Sequence, residues 1–292
     1  MRRAFLSAAL IAFCIGCTQL PAQTELDKKF VTTSDGVRIH VMDSGKGQAG
    51  TLVFIPGWTV PAEIWRPQIE YFTKAGYRVI AIDPRSQGDS DKPTEGHYPE
   101  RRARDYKEVV ENLKVNQPVI VGWSMAVGEL LEYVDQFGAD GLKGVVLVDG
   151  TVALPPAFMP VFGKFLKQMQ VDRKGFTDQF VRSWFARPQS PRYYSMMIDG
   201  VMKTPTNSAV ALGAGAMGKM DLSPALTKLS STPVLYVCTP QMKDQVTIVK
   251  GKLPNARVEI FEKAGHALFV DEPARFNVLL EGFMKSTQLS AK

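Results

Sequence analysis

Cysteine is scarce in this chain of 292 residues, which contains only Cys14, Cys17 and Cys238. The first two lie near the start of the chain, so Cys238 is the only cysteine within the segments expected to fold. A lone cysteine cannot form an internal disulfide, which excludes a small scaffold held together by disulfides. We interpret Cys238 as a small buried hydrophobic residue at the end of a strand.

Runs of like charge are also lacking. The formal net charge is +6, and removal of Arg2 and Arg3 would lower it by two, to +4, with the remaining Lys and Arg interleaved with Asp and Glu. Nucleic-acid binding needs clustered basic residues, so this function is disfavoured. The sequence contains no P-loop, dinucleotide fingerprint or metal-ligand spacing, so neither a cofactor nor a metal is expected. The 45% hydrophobic and 22% charged residues predict a large folded core.

The N-terminal segment MRRAFLSAALIAFCIGC, residues 1–17, is typical of an export signal. Two arginines precede an apolar run that is too short to span a membrane. Gly16-Cys17 resembles the bacterial lipobox, in which the cysteine is lipidated and becomes the new N-terminus, although Cys14 stands where leucine is usual. The only membrane contact expected is therefore a lipid anchor at Cys17.

Thr18 lacks the acidic character of an inner-membrane retention signal, so we expect a lipoprotein on the periplasmic side of the outer membrane. Cleavage after Ala22 is the alternative and would give a soluble periplasmic or secreted protein. In either case residues 1–22 form a leader and short tether, and residues 23–292 form the folded domain.

Beyond the leader, short β-branched or apolar segments alternate with helical patterns. A tight Ser-Asp-Gly turn at 34–36 separates the first two segments and predicts an antiparallel hairpin. From the third segment onward helical patterns intervene, as parallel strands require. The sequence therefore predicts an α/β fold with a mostly parallel eight-stranded sheet and helices on both faces. The predicted strands lie in KFVTT, VRIHVMD, TLVFI, RVIAI, PVIVG, GVVLVD, PVLYVC and RVEIFE.

The interval between Asp149 and Pro233 breaks this alternation. It contains aromatic-rich and methionine-rich helical patterns without a clear strand, and it is too long for a connection and too apolar for a linker. An inserted helical cap is predicted at about residues 151–228. We expect the cap to cover the carboxyl ends of the strands, where α/β sheets bind their ligands.

Ser124 lies where the predicted strand PVIVG passes directly into a helical pattern, in Gly122-Trp123-Ser124-Met125-Ala126. A sharp strand-to-helix turn strains the residue at its apex, and the residues two before and two after it must be small. Gly122 and Ala126 meet this need. The apex side chain would project above the sheet, and the Met125 amide would point towards an anion forming beside Ser124 Oγ. The pattern predicts a serine nucleophile.

A serine nucleophile needs a base, and the chain has three histidines, at 40, 97 and 266. His40 lies inside the second strand pattern and is interpreted as a sheet residue, whereas His97 lies in a polar loop. His266, in FEKAGHALFVDEP, follows the last predicted strand at the carboxyl edge of the sheet, from which it can reach Ser124. We therefore predict His266 as the general base.

From about Phe30 to its end, the chain resembles the α/β-hydrolase superfamily. Within this superfamily it is similar to small serine carboxylesterases, both the perhydrolase or cofactor-free haloperoxidase branch and the pimeloyl-carrier-protein methyl ester esterase branch. The latter shares the Gly-Trp-Ser elbow and a histidine segment like KAGHALF. The resemblance implies that the loop IPGWTV donates a second oxyanion amide, from Trp58.

The resemblance also assigns DPRSQGDSDKP to the loop after the fourth strand, where Arg85, Gly88 and Ser90 fit and are interpreted as turn residues. Three positions depart from the family pattern. Pro56 replaces the histidine that usually precedes the oxyanion glycine, and Ser86 and Ala126 each replace a usual glycine. None of these changes removes the Trp58 amide.

The acid of the expected triad stays open between candidates. The family normally places it after the seventh strand, but in CTPQMKDQ that position falls close to Met242, and Asp244 lies two positions later. Asp149, at the end of the sixth strand, is the favoured alternative, because the ends of neighbouring parallel strands lie about 5 Å apart. Strands in such sheets often end in Asp merely because its carboxylate accepts hydrogen bonds from the amides of the following turn. Asp149 could have only this structural role, so a site without a working acid is the third possibility.

The sequence therefore predicts a serine hydrolase of the carboxylesterase type that acts on a small, apolar ester. Its catalytic residues would be Ser124, His266 and Asp149, with oxyanion amides from Trp58 and Met125. One alternative is a non-catalytic or slow homologue that binds a small ligand, and another is a perhydrolase or C–C bond hydrolase that uses the same triad. Serine at the apex disfavours the aspartate-nucleophile dehalogenases and epoxide hydrolases.

Overall fold

The computed structural model of the protein describes residues 26–289. The predicted leader, with the lipidation candidate Cys17, lies outside the described residues. Within them, every helix is too short or too polar to cross a membrane.

Eight strands form one sheet in the order β1-β2-β4-β3-β5-β6-β7-β8. They are β1 (Asp27–Thr32), β2 (Arg38–Asp43), β3 (Thr51–Ile55), β4 (Arg78–Ile82), β5 (Val119–Trp123), β6 (Gly144–Val148), β7 (Val234–Cys238) and β8 (Arg257–Ile260). Strand β2 pairs antiparallel with both β1 and β4, and all other neighbours are parallel. The predicted mostly parallel eight-stranded sheet is confirmed.

Helices cover both faces of the sheet. They are α1 (Arg66–Lys74), α2 (Pro99–Asn112), α3 (Met125–Phe137), α4 (Phe158–Val171), α5 (Arg173–Arg182), α6 (Pro191–Met202), α7 (Thr206–Met217), α8 (Ser223–Leu226), α9 (Lys243–Lys252), α10 (Leu268–Asp271) and α11 (Pro273–Leu289). Successive side chains of a strand point to opposite faces. In β5, Val119 and Val121 therefore join the core layer that includes residues of α1 and α11, and Ile120 joins the layer that includes residues of α2 and α3.

Helices α4 to α8 lie between β6 and β7, in the interval predicted for an inserted cap. An isolated bridge between Ala153 and Asp221 ties the two ends of this insertion together. Trp58, from the loop after β3, packs with Met169, Phe176 and residues of α7 in a separate apolar cluster. Its indole Nε1 also donates to Ala209 O of α7 at 2.8 Å. The insertion is thus packed directly on the loop that follows β3.

Candidate active site

Ser124 occupies the apex of a sharp turn between β5, which ends at Trp123, and α3, which begins at Met125. Its backbone has φ 59° and ψ −120°, a region that non-glycine residues seldom adopt. A Cβ atom at Gly122 would lie 2.7 Å from Leu130 Cδ1 and 2.9 Å from Ala126 O. Glycine is therefore required at 122, and the turn lifts the serine hydroxyl above the carboxyl edge of the sheet.

The loop after β3 lies against this serine. A Cβ atom at Gly57 would be 2.9 Å from Ser124 Cβ and 3.4 Å from Ser124 Oγ, so only glycine allows the approach. Trp58 directly follows Gly57, and Met125 directly follows Ser124, so the backbone N–H groups of these two residues remain the candidate oxyanion donors. The amide of Met125 is at the first position of α3, where N–H groups have no partner within the helix.

His266 lies between Ser124 and Asp149. Its Nε2 is 2.8 Å from Ser124 Oγ, and its Nδ1 is 2.7 Å from Asp149 Oδ2. The imidazole is 29% exposed, whereas the Asp149 side chain is 2% exposed. Because a carboxylate only accepts hydrogen bonds, Nδ1 must carry a proton, which leaves the lone pair of the neutral ring on Nε2, facing the hydroxyl.

Asp149 directly follows β6, the neighbour of β5 in the sheet, and has φ 44°. Its second oxygen, Oδ1, accepts hydrogen bonds from Thr239 N at 2.6 Å and Thr239 Oγ1 at 2.9 Å. Asp244, the other candidate, is exposed in the first turn of α9. The structure thus brings Asp149 to His266, and leaves Asp244 at the surface.

The loop that carries His266 is held by two residues that were not among the predicted site residues, Trp123 and Asp271. Trp123 Nε1 donates to His266 O at 2.9 Å, and its ring centroid is 4.9 Å from that of the imidazole. Asp271 Oδ2 accepts from Gly265 N at 2.7 Å and from Ala186 N at 2.8 Å. Two features of the sequence could have indicated these residues: Trp123 is adjacent to the predicted nucleophile, and Asp271 lies shortly after His266.

The other two histidines lie away from Ser124. His40 is buried in β2, as expected, and its Nδ1 is 2.8 Å from Asp83 Oδ2. His97, expected in a polar loop, is instead only 7% exposed, with Nε2 2.8 Å from Ser86 Oγ. Burial lowers the pKa of His97 below its usual range. The burial of His97 could not be predicted from the polar residues around it, because it results from packing of the loop against α2 and the segment after β4.

The loop after β4 is built around Asp83. Besides His40, its carboxylate accepts from Ala62 N at 2.6 Å and from Asp89 N at 2.9 Å, and a Cβ atom at Gly88 would overlap it at 2.1 Å. Oxygen or nitrogen atoms of His40, Asp83 and Asp89 lie within 4.8 Å of one another, a spacing that could suit a metal ion. These hydrogen bonds already engage both oxygens of Asp83, so its evident role is to fold the loop.

Arg85 and Ser90 also support this loop. Arg85 is 1% exposed and pairs with Asp105 of α2, with Nε 2.5 Å from Oδ2. Ser90 Oγ accepts from His40 N at 2.8 Å, which ties the loop to β2. These contacts agree with their interpretation as residues that shape the turn.

A cavity of about 230 Å³ opens beside Ser124 and His266, between the sheet and the inserted helices. Its walls are largely apolar. They include Trp58, the phenylalanines Phe158, Phe162, Phe165 and Phe180 of α4 and α5, and Met242. Lys219 also lines the cavity, but its Nζ pairs with Glu132 at 2.7 Å and Asp135 at 3.1 Å. The hydrogen bond to Glu132 raises the pKa of Lys219. The lysine charge is therefore balanced by its own carboxylate partners.

The chain is similar in sequence to known enzymes. The chain is 38% identical over 127 residues to the bifunctional esterase/perhydrolase of Acinetobacter calcoaceticus, a match that covers 44% of this chain and 45% of that protein. It is 37% identical over 129 residues to the non-heme chloroperoxidase of Streptomyces lividans, covering 44% and 46%. In each case the chain spans about half the length of the relative.

An esterase from Exiguobacterium antarcticum has the same fold. Its structure superposes with a TM-score of 0.82 and 22% identity, and the match covers 88% of this chain and 99% of that one. The family model of the alpha/beta hydrolase family matches residues 52–278, which include Ser124, Asp149 and His266. With its sheet order, its serine elbow and this match over most of its length, the chain belongs to the alpha/beta hydrolase family.

Proposed function

We propose that the protein is a serine hydrolase that cleaves small, apolar esters. The observation that carries this proposal is the chain of hydrogen bonds from Ser124 Oγ through the His266 imidazole to the buried Asp149 carboxylate. His266 Nε2 takes the hydroxyl proton as Oγ attacks the ester carbonyl, and Asp149 stabilises the resulting imidazolium. His266 then protonates the leaving alkoxide, and the ester becomes an acyl-enzyme on Ser124.

In the second half of the reaction, His266 Nε2 accepts a proton from water as the water attacks the acyl carbonyl. Collapse of the tetrahedral intermediate releases the acid and returns the proton to Ser124 Oγ. Both tetrahedral intermediates carry a negative oxygen, and the amides of Trp58 and Met125 are the donors proposed to stabilise it. Preorganised amides of this kind are among the largest contributions to acyl transfer.

The cavity supports a small, neutral substrate. Its volume of about 230 Å³ is below the roughly 300–1,000 Å³ of pockets that hold drug-sized ligands. The phenylalanines of α4 and α5 favour an alkyl or aryl group, because these walls offer dispersion contacts and few hydrogen bonds. Lys219 is already paired, so it offers little attraction to an anionic substrate.

The test is reaction with a fluorophosphonate probe together with turnover of p-nitrophenyl esters of increasing chain length. Ser124→Ala should abolish labelling and lower ester turnover by several orders of magnitude, because the nucleophile is lost while the oxyanion donors remain. Ser183→Ala is the matched control, since Ser183 is an exposed serine whose hydroxyl donates to Phe180 O at 2.7 Å. A wild-type protein that neither labels nor turns over esters would favour the alternative of a small-ligand-binding protein.

Perhydrolysis is a second candidate, supported by the 38% identity to a bifunctional esterase/perhydrolase. Hydrogen peroxide would replace water in the attack on the acyl-enzyme, which gives a peracid and free Ser124 without any net oxidation of the protein. The measurement is peracid formation from acetate or its esters in the presence of peroxide. Ester hydrolysis without peracid formation would leave hydrolysis as the sole activity.

A further inference from the structure

Gln87, in the loop between β4 and α2, is fully buried beneath the loop that follows β3. Its side-chain Nε2 donates to Gly57 O at 2.9 Å and to Val60 O at 2.8 Å. The Val60 N–H also donates to Gly57 O, at 3.2 Å. One side-chain amide therefore holds two carbonyls of the loop that lies against Ser124.

Gly57 O and Trp58 N–H belong to the same peptide group. Because a peptide is planar and trans, its C=O and N–H point in opposite directions, so a partner that fixes the oxygen also fixes the direction of the N–H. We propose that Gln87 is a positioning residue, which orients the 57–58 peptide so that the Trp58 N–H faces the oxyanion. A hydrogen bond accepted by the carbonyl also polarises the peptide and strengthens its N–H as a donor. This inference rests on the proposed function.

The orientation of the Gln87 amide is itself determined by its surroundings. Its Oε1 accepts from Arg102 Nη2 at 3.0 Å. A guanidinium can only donate hydrogen bonds, so the oxygen of Gln87 must face Arg102 and the NH₂ group must face the loop. If the amide were flipped, its NH₂ group would face the donors of Arg102, and its oxygen would face the carbonyl oxygens of Gly57 and Val60. Only the observed orientation therefore satisfies all three hydrogen bonds.

Arg102 connects this arrangement to the helix that follows the nucleophile. It is 1% exposed, forms an ion pair with Glu129 of α3 and donates from Nη2 to Glu129 Oε2 at 3.3 Å. The hydroxyl of Tyr106 also donates to Glu129. A continuous buried network thus runs from the carbonyl of Gly57 to α3, whose first residue is Met125. The two proposed oxyanion amides are held in position relative to each other through Gln87, Arg102 and Glu129.

The test replaces the donor while the fold is retained. Gln87→Met removes both hydrogen bonds to the loop with a side chain of similar size, and Gln87→Glu keeps an acceptor for Arg102 but has no donor when ionised. We expect both variants to lower kcat for p-nitrophenyl acetate by about tenfold to a hundredfold. This decrease should not exceed the decrease in kcat caused by removing an oxyanion donor altogether, because the Trp58 amide is still present. KM should stay within about twofold, because the ester ground state carries no oxyanion.

A trifluoromethyl ketone provides the readout that a general structural role would not change. Its adduct with Ser124 places an oxyanion between the two amides, so its affinity should fall by the same factor as kcat/KM. Gln68→Met is the matched control: Gln68 is also fully buried, and its Nε2 donates to Phe269 O at 2.9 Å and Asn277 Oδ1 at 3.2 Å. Gln68→Met should change the thermal stability of the protein, but the ratio of the ketone dissociation constant to KM should stay at its wild-type value.

Two results separate this inference from the proposed function. If Ser124→Ala removes ester turnover but both Gln87 variants, folded by circular dichroism, keep wild-type kcat and ketone affinity, the role of Gln87 is overturned and the serine hydrolase stands. If the protein has no ester turnover, amide hydrogen exchange still tests the orientation. Faster exchange of the Val60 amide, whose N–H donates to Gly57 O at 3.2 Å, in Gln87→Met than in Gln68→Met supports the inference, and equal exchange overturns it.

Discussion

Replacing Asp149 by Asn should strongly lower ester turnover, because it should favour the tautomer of His266 that cannot accept the proton of Ser124. Thr239 N–H donates to Oδ1 of the carboxylate at 2.6 Å, and Thr239 Oγ1 lies 2.9 Å from the same atom. A backbone N–H needs an acceptor, so the oxygen of the new amide will take the position of Oδ1. The NH₂ group then faces Nδ1 of His266, where Oδ2 lies 2.7 Å away in the wild type.

An NH₂ group at this position donates, so Nδ1 must give up its proton and accept. The imidazole proton moves to Nε2, which then presents a donor to Ser124 Oγ instead of the lone pair that would accept the hydroxyl proton. The developing imidazolium also loses a carboxylate whose side chain is only 2% exposed. Loss of the correct tautomer in a serine triad lowers turnover by about four orders of magnitude, which corresponds to about 5.5 kcal/mol of activation free energy.

The assay is steady-state hydrolysis of p-nitrophenyl acetate near neutral pH by purified wild type, Asp149→Asn and the control Asp244→Asn. Circular dichroism and thermal unfolding establish that each variant is folded. Asp244 is exposed in α9, so its amide variant should retain activity within about twofold. Turnover by Asp149→Asn within tenfold of the wild type, or a larger defect in Asp244→Asn, would refute the assignment of the acid.

Three further outcomes are expected. Phe162→Ala removes a ring that lines the cavity, so the preference among p-nitrophenyl esters should shift towards longer acyl chains, and an unchanged chain-length profile would contradict the proposed substrate pocket. Gly88→Ala, at φ 48° and with its Cβ 2.1 Å from the Asp83 carboxylate, should lower the free energy of unfolding in a urea titration by about 2 kcal/mol or more, whereas Gly36→Ala, with no heavy atom within 4 Å of its Cβ, should cost less. We also propose that Cys17 is lipidated, so Cys17→Ser should move the protein from the membrane fraction to the soluble one or leave it unprocessed, and a mature chain that starts at Gln23 by intact mass would exclude the lipid anchor.

The local pattern of the sequence was sufficient to predict the eight strands of a mostly parallel sheet and to propose two residues of the candidate site. Strands and helices have different hydrophobic periods, so each strand could be located from residues close to it in the chain. Ser124 was identified because the steric demands of its turn involve only near neighbours, Gly122 and Ala126. His266 was identified because the last strand ends shortly before it, and the carboxyl ends of parallel strands meet at one edge of the sheet.

The tertiary structure decided what depends on contacts between distant segments. Asp149 and Asp244 both follow strands at the carboxyl edge, and only the packing of β6 beside β5, with Thr239 holding Oδ1, turns the Asp149 carboxylate towards His266. Gln87 appears in the sequence as one polar residue of a turn, since its partners lie 30 positions before it at Gly57 and 15 positions after it at Arg102. Hydrogen bonds are short-ranged and directional, so no periodic pattern along the chain records which distant groups they join.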